Sequence, residues 1–173
     1  MRMQISSSLS LCAMGVGMAV TAANSSSVVL QQASQLAACI RALDASCVIR
    51  LSDADAYRKV NAPDYDFEAT QTRFFAGLKK QGAGYTRFDI GVPMASSTQG
   101  GIEYQIVPFT LGLRGLDVPR KVVRGYFVAI SRDAGRTWRF VDATGLDLKQ
   151  LRTVMPTYSS ASLPLFGMPN AGT

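Results

Sequence analysis

The spacing of apolar residues predicts helices in the first half of the chain. Three serines at positions 25–27, a residue type that caps helix N-termini well, precede apolar residues recurring every three or four positions. These residues form one stripe of a helix: Val29, Ala33, Leu36, Ile40 and Leu43. The segment 44–46 should end this helix.

A second helix is predicted between Pro63 and Gly82. Most of its bulk lies on one side, which carries Phe67, Gln71, Phe74, Phe75 and Leu78. The segment between the two helices is ambiguous: residues 47–49 look extended, while residues 53–60 fit a short helix.

Alternating apolar and polar positions predict strands from Tyr85 onward. We expect strands at residues 85–94, 102–113, 122–132 and 137–143, with a turn-rich link at 96–101. The alternation shifts phase near Pro108, which indicates a bulge or an edge position. Short connections make neighbouring strands antiparallel. The chain is therefore predicted to be a single α+β domain at residues 24–153, followed by an irregular, proline-containing tail at 154–173.

The first 23 residues have the pattern of a secretory signal peptide. Arg2 gives a positive start, residues 9–20 are mostly apolar, and small residues at 21–23 offer a cleavage site. The apolar run is shorter than the roughly 20 residues of a membrane-spanning helix, so no stable membrane insertion is expected. The alternatives are a retained anchor and a lipid on Cys12, which the bulky Leu11 disfavours. We predict an exported protein, periplasmic or extracellular.

If the protein is exported, the two cysteines that follow the leader can form a disulfide. Cys39 and Cys47 are eight residues apart and would lie in an oxidising compartment, where disulfides form and persist. A disulfide would close the end of the first helix onto the segment after it. Two buried thiols are the alternative.

A positive charge remains once the leader is removed. Without Arg2, 17 basic residues face 12 acidic ones, a net charge of about +5. Basic residues cluster around the third predicted strand: Arg114, Arg120, Lys121, Arg124 and Arg132. With Tyr126 they would suit an acidic protein partner, or they are simply an exposed sheet face. Nucleic acid is not an expected partner outside the cytoplasm.

Residues 131–138 match the S-x-D-x-G-x-T-W pattern known as the Asp-box of sialidases. In those enzymes the box lies away from the catalytic centre and recurs on propeller blades, whereas here it occurs once in a short chain. We therefore predict a structural hairpin turn built by Asp133, Gly135 and Trp138 and not a glycosidase site.

Several kinds of chemistry are excluded by residue types that are missing. The chain has no histidine, which removes histidine-assisted nucleophiles and histidine-ligated zinc. It also has no glycine-rich phosphate loop. The acidic run at 64–68 lacks the glycine and distal glutamate of a calcium loop and is typical of a helix start. No cofactor or metal is expected.

The order of these elements resembles the NTF2-like cone fold, which includes SnoaL-like and ketosteroid-isomerase-like proteins. The matching features are the helix with Phe74 and Phe75 that ends at Gly82, the hairpins after it, and the closing strand at 138–142. The resemblance covers about residues 28–145. It implies helices that close the concave side of a bent sheet over a pocket.

Ketosteroid-isomerase-like proteins use an aspartate base with a tyrosine and a protonated acid. In this chain the strand carboxylates are Asp89, Glu103 and Asp142. Their spacing does not bring two of them together, so we expect no buried carboxylate within hydrogen-bond reach of a tyrosine. Asp142 faces either water or an apolar wall that would raise its pKa. The candidate ligand-binding residues are Asp142, Tyr104 and Tyr126.

These observations favour a non-catalytic exported binding protein. Its ligand would be a small apolar molecule in the cone or a protein on the open sheet face, as in inhibitor or immunity proteins, and a homodimer is compatible with this. The alternative is an isomerase- or hydrolase-type enzyme that uses carboxylate and tyrosine in the same pocket.

Overall fold

The computed structural model describes residues 17–115 and 122–159. Four helices precede an antiparallel sheet and a last short helix. The helices are α1 (Gly17–Arg41), α2 (Ala45–Leu51), α3 (Ala54–Val60), α4 (Phe67–Lys80) and α5 (Leu148–Val154). The strands are β1 (Gly84–Ile90), β2 (Ala95–Gln99), β3 (Ile102–Arg114), β4 (Val122–Ser131) and β5 (Arg139–Asp142). The predicted α+β class is confirmed.

Some predictions fall outside the described residues. They concern Arg2, Cys12, Arg120 and Lys121, residues 1–16 of the leader and residues 160–173 of the tail. Within the described part of the chain, no helix has both the length and the apolar character that a membrane crossing requires.

The sheet has the order β1-β3-β4-β5, and β2 pairs with the same edge of β3 as β1 does. The edge is interrupted at residues 91–94, opposite Pro108 of β3. There the Gly91 N–H donates to the Pro108 carbonyl at 2.8 Å, whereas Pro108 has no N–H to return. The bulge or edge position predicted for β3 near Pro108 is therefore wrong: β3 is a central strand that pairs with β4 without a register shift, and the irregularity lies in the neighbouring edge.

The helix α1 begins earlier in the chain than we predicted. It passes through residues 25–27, so the prediction that these serines cap a helix is wrong. Its end follows the prediction: α1 stops at Arg41, Leu43 adopts a positive φ of 53°, and Asp44 caps α2. The Asp44 carboxylate accepts a hydrogen bond from the Cys47 N–H at 3.0 Å, which makes residues 47–49 helical and not extended.

Cys39 and Cys47 form the predicted disulfide between α1 and α2, with Cα atoms 5.8 Å apart. Two other elements differ from the prediction. Ala95–Gln99 is the strand β2 and not part of a link, because Gly100 and Gly101, both at positive φ, turn it directly into β3. Residues 148–154 form α5, which the sequence analysis did not predict.

Helices cover both faces of the sheet. On the first face, Phe127, Trp138 and Phe140 pack in a core with residues of α1, α2 and α4. On the second face, Tyr126, Val128 and Ile130 belong to another core with residues of α5 and the segment 155–158. The sheet face that was expected to be open is therefore covered around Tyr126.

Candidate ligand-binding site

A cavity of about 310 Å³ lies between the helices and the first face of the sheet. Its walls are mainly aromatic and include Phe67, Phe75, Phe88, Phe109, Phe127 and Phe140. Helices α1, α2, α3 and α4 and strands β1, β3, β4 and β5 all contribute to it. Its volume is near the lower end of the range of small-molecule pockets.

Asp142 brings a carboxylate into this aromatic cavity. It ends β5 two residues after Phe140, and alternation in a strand puts both side chains on the helix-covered face. The Asp142 side chain is exposed to solvent, although the surrounding protein atoms partly desolvate its carboxyl group. This desolvation raises the pKa of the Asp142 carboxyl above its usual value, although hydrogen bonds from Thr144, including the backbone N–H at 2.9 Å, oppose the shift.

Two tyrosines lie beside this carboxylate in the cavity lining. The hydroxyl of Tyr57 on α3 accepts a hydrogen bond from the Asp142 backbone N–H at 2.8 Å. Burial raises the pKa of Tyr57 well above its usual range, and the negative charge of Asp142 adds to the shift. The same two causes, in the same order, raise the pKa of Tyr85. The site thus combines one perturbed carboxyl group with two phenols that stay protonated.

The expected separation of carboxylates and tyrosines is only partly correct. Among the described residues, no hydrogen bond joins the Asp142 carboxyl group itself to a phenol, as we expected. Tyr57 and Tyr85 nevertheless line the same cavity as Asp142, and the Tyr57 hydroxyl is hydrogen-bonded to the Asp142 backbone. Asp142 is thus exposed to water and also lines the mainly aromatic cavity, so each of the two positions that the sequence left open describes part of its surroundings.

The other candidate residues do not join this site. Tyr104 and Tyr126 belong to the core on the second face of the sheet. Asp89 is exposed, and its carboxylate oxygen Oδ2 lies 3.7 Å from Nε of Arg87. Glu103 pairs with Ser131 at the far end of β3. The structure thus brings Asp142 together with tyrosines that the sequence analysis did not select.

The positions of Tyr57 and Tyr85 in the cavity lining could not be predicted from the sequence pattern. Tyr57 approaches β5 because the link between α2 and α3 is held to that strand, where the Asp53 N–H donates to the Phe140 carbonyl at 3.0 Å. Tyr85 shares a face with Phe88 because a register shift between Tyr85 and Arg87 inserts one extra residue into β1. Simple alternation would place residues 85 and 88 on opposite faces.

The Asp-box motif forms a structural turn outside the cavity. Asp133 accepts hydrogen bonds from the backbone N–H and the hydroxyl of Thr137 at 2.8 and 2.7 Å, and another from the Ser131 hydroxyl. These donors lower the pKa of Asp133 to about 2. Trp138 is completely buried, and its indole N–H donates to the Gly135 carbonyl at 3.1 Å. The motif fixes the β4–β5 hairpin, as predicted.

Arg132, one of the basic residues clustered around β4, forms a salt bridge within the fold. Its guanidinium group lies 2.6 Å from the carboxylate of Asp53, which is buried and caps α3. Arg114 and Arg124 are exposed. The described part of the cluster therefore does not act as one free positive patch.

The acidic residues near α4 serve the helix. Asp66 caps α4 through a hydrogen bond from the Ala69 N–H at 3.0 Å, and Glu68 lies in the first turn. Across the described residues, no three side chains of the metal-ligating types come together as a metal site would require.

Comparison with known proteins adds no assignment. No protein family model matches the chain, and no curated protein is significantly similar to it in sequence.

Proposed function

We propose that the chain is an exported NTF2-like protein that binds a small, mostly apolar molecule in the aromatic cavity. The observation that carries this proposal is the position of Asp142, a solvent-exposed carboxyl of raised pKa in the lining of the aromatic cavity. Helices folded over one face of an antiparallel sheet, with the cavity between them, agree with the cone layout.

The lining defines the chemistry of the ligand. Aromatic walls favour a flat or ring-shaped apolar body, which would stack on phenylalanine rings. Asp142, Tyr57 and Tyr85 offer a small number of polar atoms at one end, so the ligand carries one hydroxyl or carbonyl group there. This small-ligand function is favoured over a protein partner on the sheet, because α5 and residues 155–158 cover the part of the second face around Val128 and Ile130.

The first experiment identifies the ligand and tests its anchor. Protein purified from its native source is extracted with organic solvent, and the extract is analysed by mass spectrometry. In parallel, 2-naphthol, an aromatic probe with one hydroxyl, is titrated by fluorescence. Asp142→Asn should weaken naphthol binding about tenfold, since hydrogen bonds to charged or polarised groups contribute 1.5–3 kcal/mol and each 1.4 kcal/mol is a factor of ten.

Asp64→Asn is the matched control, because it removes an exposed carboxylate that lies outside the aromatic cavity. It should leave naphthol binding unchanged. Equal affinities of the parent and both variants would refute the role of Asp142 in ligand binding.

A second candidate function is proton transfer of the isomerase type. It is favoured by the same carboxyl, because a base whose pKa is raised towards neutrality is more effective near neutral pH. Tyr57 and Tyr85 would then donate hydrogen bonds to the oxyanion that forms on the substrate. Turnover of the extracted ligand separates the two functions: an enzyme loses turnover in Asp142→Asn while still binding, whereas a binding protein shows no turnover in either form.

A further inference from the structure

A second cavity, of about 320 Å³, opens on the other face of the sheet. We call it the rear groove; its apolar lining includes Met94, Ile106, Pro108, Tyr126 and Tyr158. One end is polar, where Asp89, Thr110 and Arg124 lie side by side on three neighbouring strands. The rear groove is separate from the aromatic cavity, which lies across the sheet on the helix side.

Exposed apolar residues indicate that the edge of this groove lacks a cover, and a tyrosine in its lining lacks a hydrogen-bond partner among the described residues. Val92 and Met94, both in the interrupted edge between β1 and β2, are 76% and 48% exposed although they are large and apolar. Tyr158 in the groove lining is only 5% exposed, and its buried hydroxyl has no hydrogen-bond partner among the described residues. Such a hydroxyl costs free energy unless a donor or an acceptor reaches it.

The chain itself leaves the described structure at this groove. Thr157 is held to β2 by a hydrogen bond to Ser97, and Tyr158 follows it into the groove lining. The next 14 residues, 160–173, contain no charged side chain. Their large apolar residues are Leu163, Leu165, Phe166 and Met168, with prolines at 164 and 169.

The segment 160–173 is long enough to span the rear groove. From Ile106 to Thr110 the groove follows β3 for about 13 Å, at roughly 3.3 Å per strand residue. Fourteen extended residues can span about 46 Å. Attachment at Tyr158 also makes binding intramolecular, with an effective concentration in the millimolar range for a short linker.

We propose that residues 160–173 bind in the rear groove of their own domain and cover Val92 and Met94. The uncharged, apolar segment matches an apolar groove whose two charges, Asp89 and Arg124, are opposite in sign. Its backbone supplies the hydrogen-bond partner that the Tyr158 hydroxyl lacks. A second copy of the chain on this surface is the competing occupant, and the experiment below separates the two.

Photocrosslinking in the full chain tests this placement. The photoreactive residue p-benzoylphenylalanine replaces Met94 in one variant and Phe74 in the other. Phe74 is a matched control, since it is 51% exposed but lines the aromatic cavity on the opposite face. After irradiation, mass spectrometry should find crosslinks from position 94 to residues 160–173 within one chain, and none of these from position 74. Crosslinks from position 94 to a second chain, or none to 160–173, overturn the proposal.

A substitution in the segment gives a second measurement. Phe166→Asp in the full chain should release the segment and raise the fluorescence of the apolar dye 8-anilinonaphthalene-1-sulfonate severalfold, whereas Asn170→Asp, with the same change in charge, should not. Equal fluorescence in both variants contradicts the proposal. Binding of 2-naphthol in the aromatic cavity should stay unchanged in Phe166→Asp, so failure here is distinguishable from failure of the proposed function.

Discussion

The surroundings of two carboxylates in this fold shift their pKa values in opposite directions. Asp133 is surrounded by hydrogen-bond donors of its own turn, which lower its pKa to about 2. Asp142 is exposed but lines the mainly aromatic cavity, and desolvation there raises its pKa. Since a pKa difference between folded and unfolded chains makes stability depend on pH, the two residues give predictions of opposite sign.

Asp133→Asn should destabilise the protein at neutral pH. The folded chain keeps Asp133 ionised down to about pH 2, so its contribution to stability is present above the ordinary pKa of about 3.9 and is lost as the pH falls towards 2. The difference in urea midpoint between parent and variant should therefore shrink between pH 5 and pH 2. A difference that stays constant over this range would contradict the hydrogen-bond account of the turn.

Asp142→Asn should show the reverse dependence. Because folding raises the Asp142 pKa, its relative contribution to stability is fully present below the ordinary pKa of about 3.9 and is lost as the pH rises through the folded-state value. The asparagine variant does not have this titration. Its stability relative to the parent should thus increase as the pH rises from 4 to 8 in thermal unfolding experiments. Asp89→Asn serves as the control, and an identical pH profile for both variants would argue against a raised pKa of Asp142.

At the scale of elements, the β4–β5 hairpin and α1 are tied together by Trp138. Its backbone N–H donates to the Gln32 side chain of α1 at 2.7 Å, and its ring is completely buried in the first core. Trp138→Ala should lower the free energy of unfolding by about 3–5 kcal/mol because it leaves a large cavity. Phe74→Ala, at a half-exposed site, should cost much less. Chemical denaturation measures both, and similar small losses would show that the hairpin does not depend on this ring.

The disulfide between α1 and α2 should add about 2–3 kcal/mol, by the chain-entropy estimate for a loop closed by cysteines eight residues apart. Replacing both Cys39 and Cys47 by serine should lower the denaturation midpoint, and a reductant should lower that of the parent but not that of the variant. Alkylation of both thiols in the folded, unreduced parent would contradict the bond.

The elements also show which features a sequence pattern can predict. The stripe of α1 and the Asp-box turn depend on neighbours close in sequence, and both were predicted in type. Helix α5 was missed, although Asp147 and Gln150 have the spacing of a capping box and do form one. The candidate site could be predicted only through Asp142, because Tyr85 depends on an extra residue in β1 and Tyr57 on a long-range contact with β5.

At the scale of the whole molecule, export remains a prediction that processing can test. The exported chain should begin near Ala23 or Asn24, because the small residues at 21–23 follow the apolar run. N-terminal sequencing of the protein recovered from outside the cytoplasm measures this directly. A chain that still begins at Met1, or that carries a lipid on Cys12, would contradict the signal peptide.

Both outer edges of the sheet are poor templates for intermolecular strand addition. On the β5 edge, Ser52 forms a bridge to Phe140, and the Asp53 N–H occupies the Phe140 carbonyl. On the other edge, residues 91–94 break the line of β1 and β2. Long, regular and unpaired edges are where amyloid-like aggregation begins. We therefore expect this fold to resist fibre formation at high concentration, because one edge is occupied by the Ser52–Asp53 segment and the other is irregular.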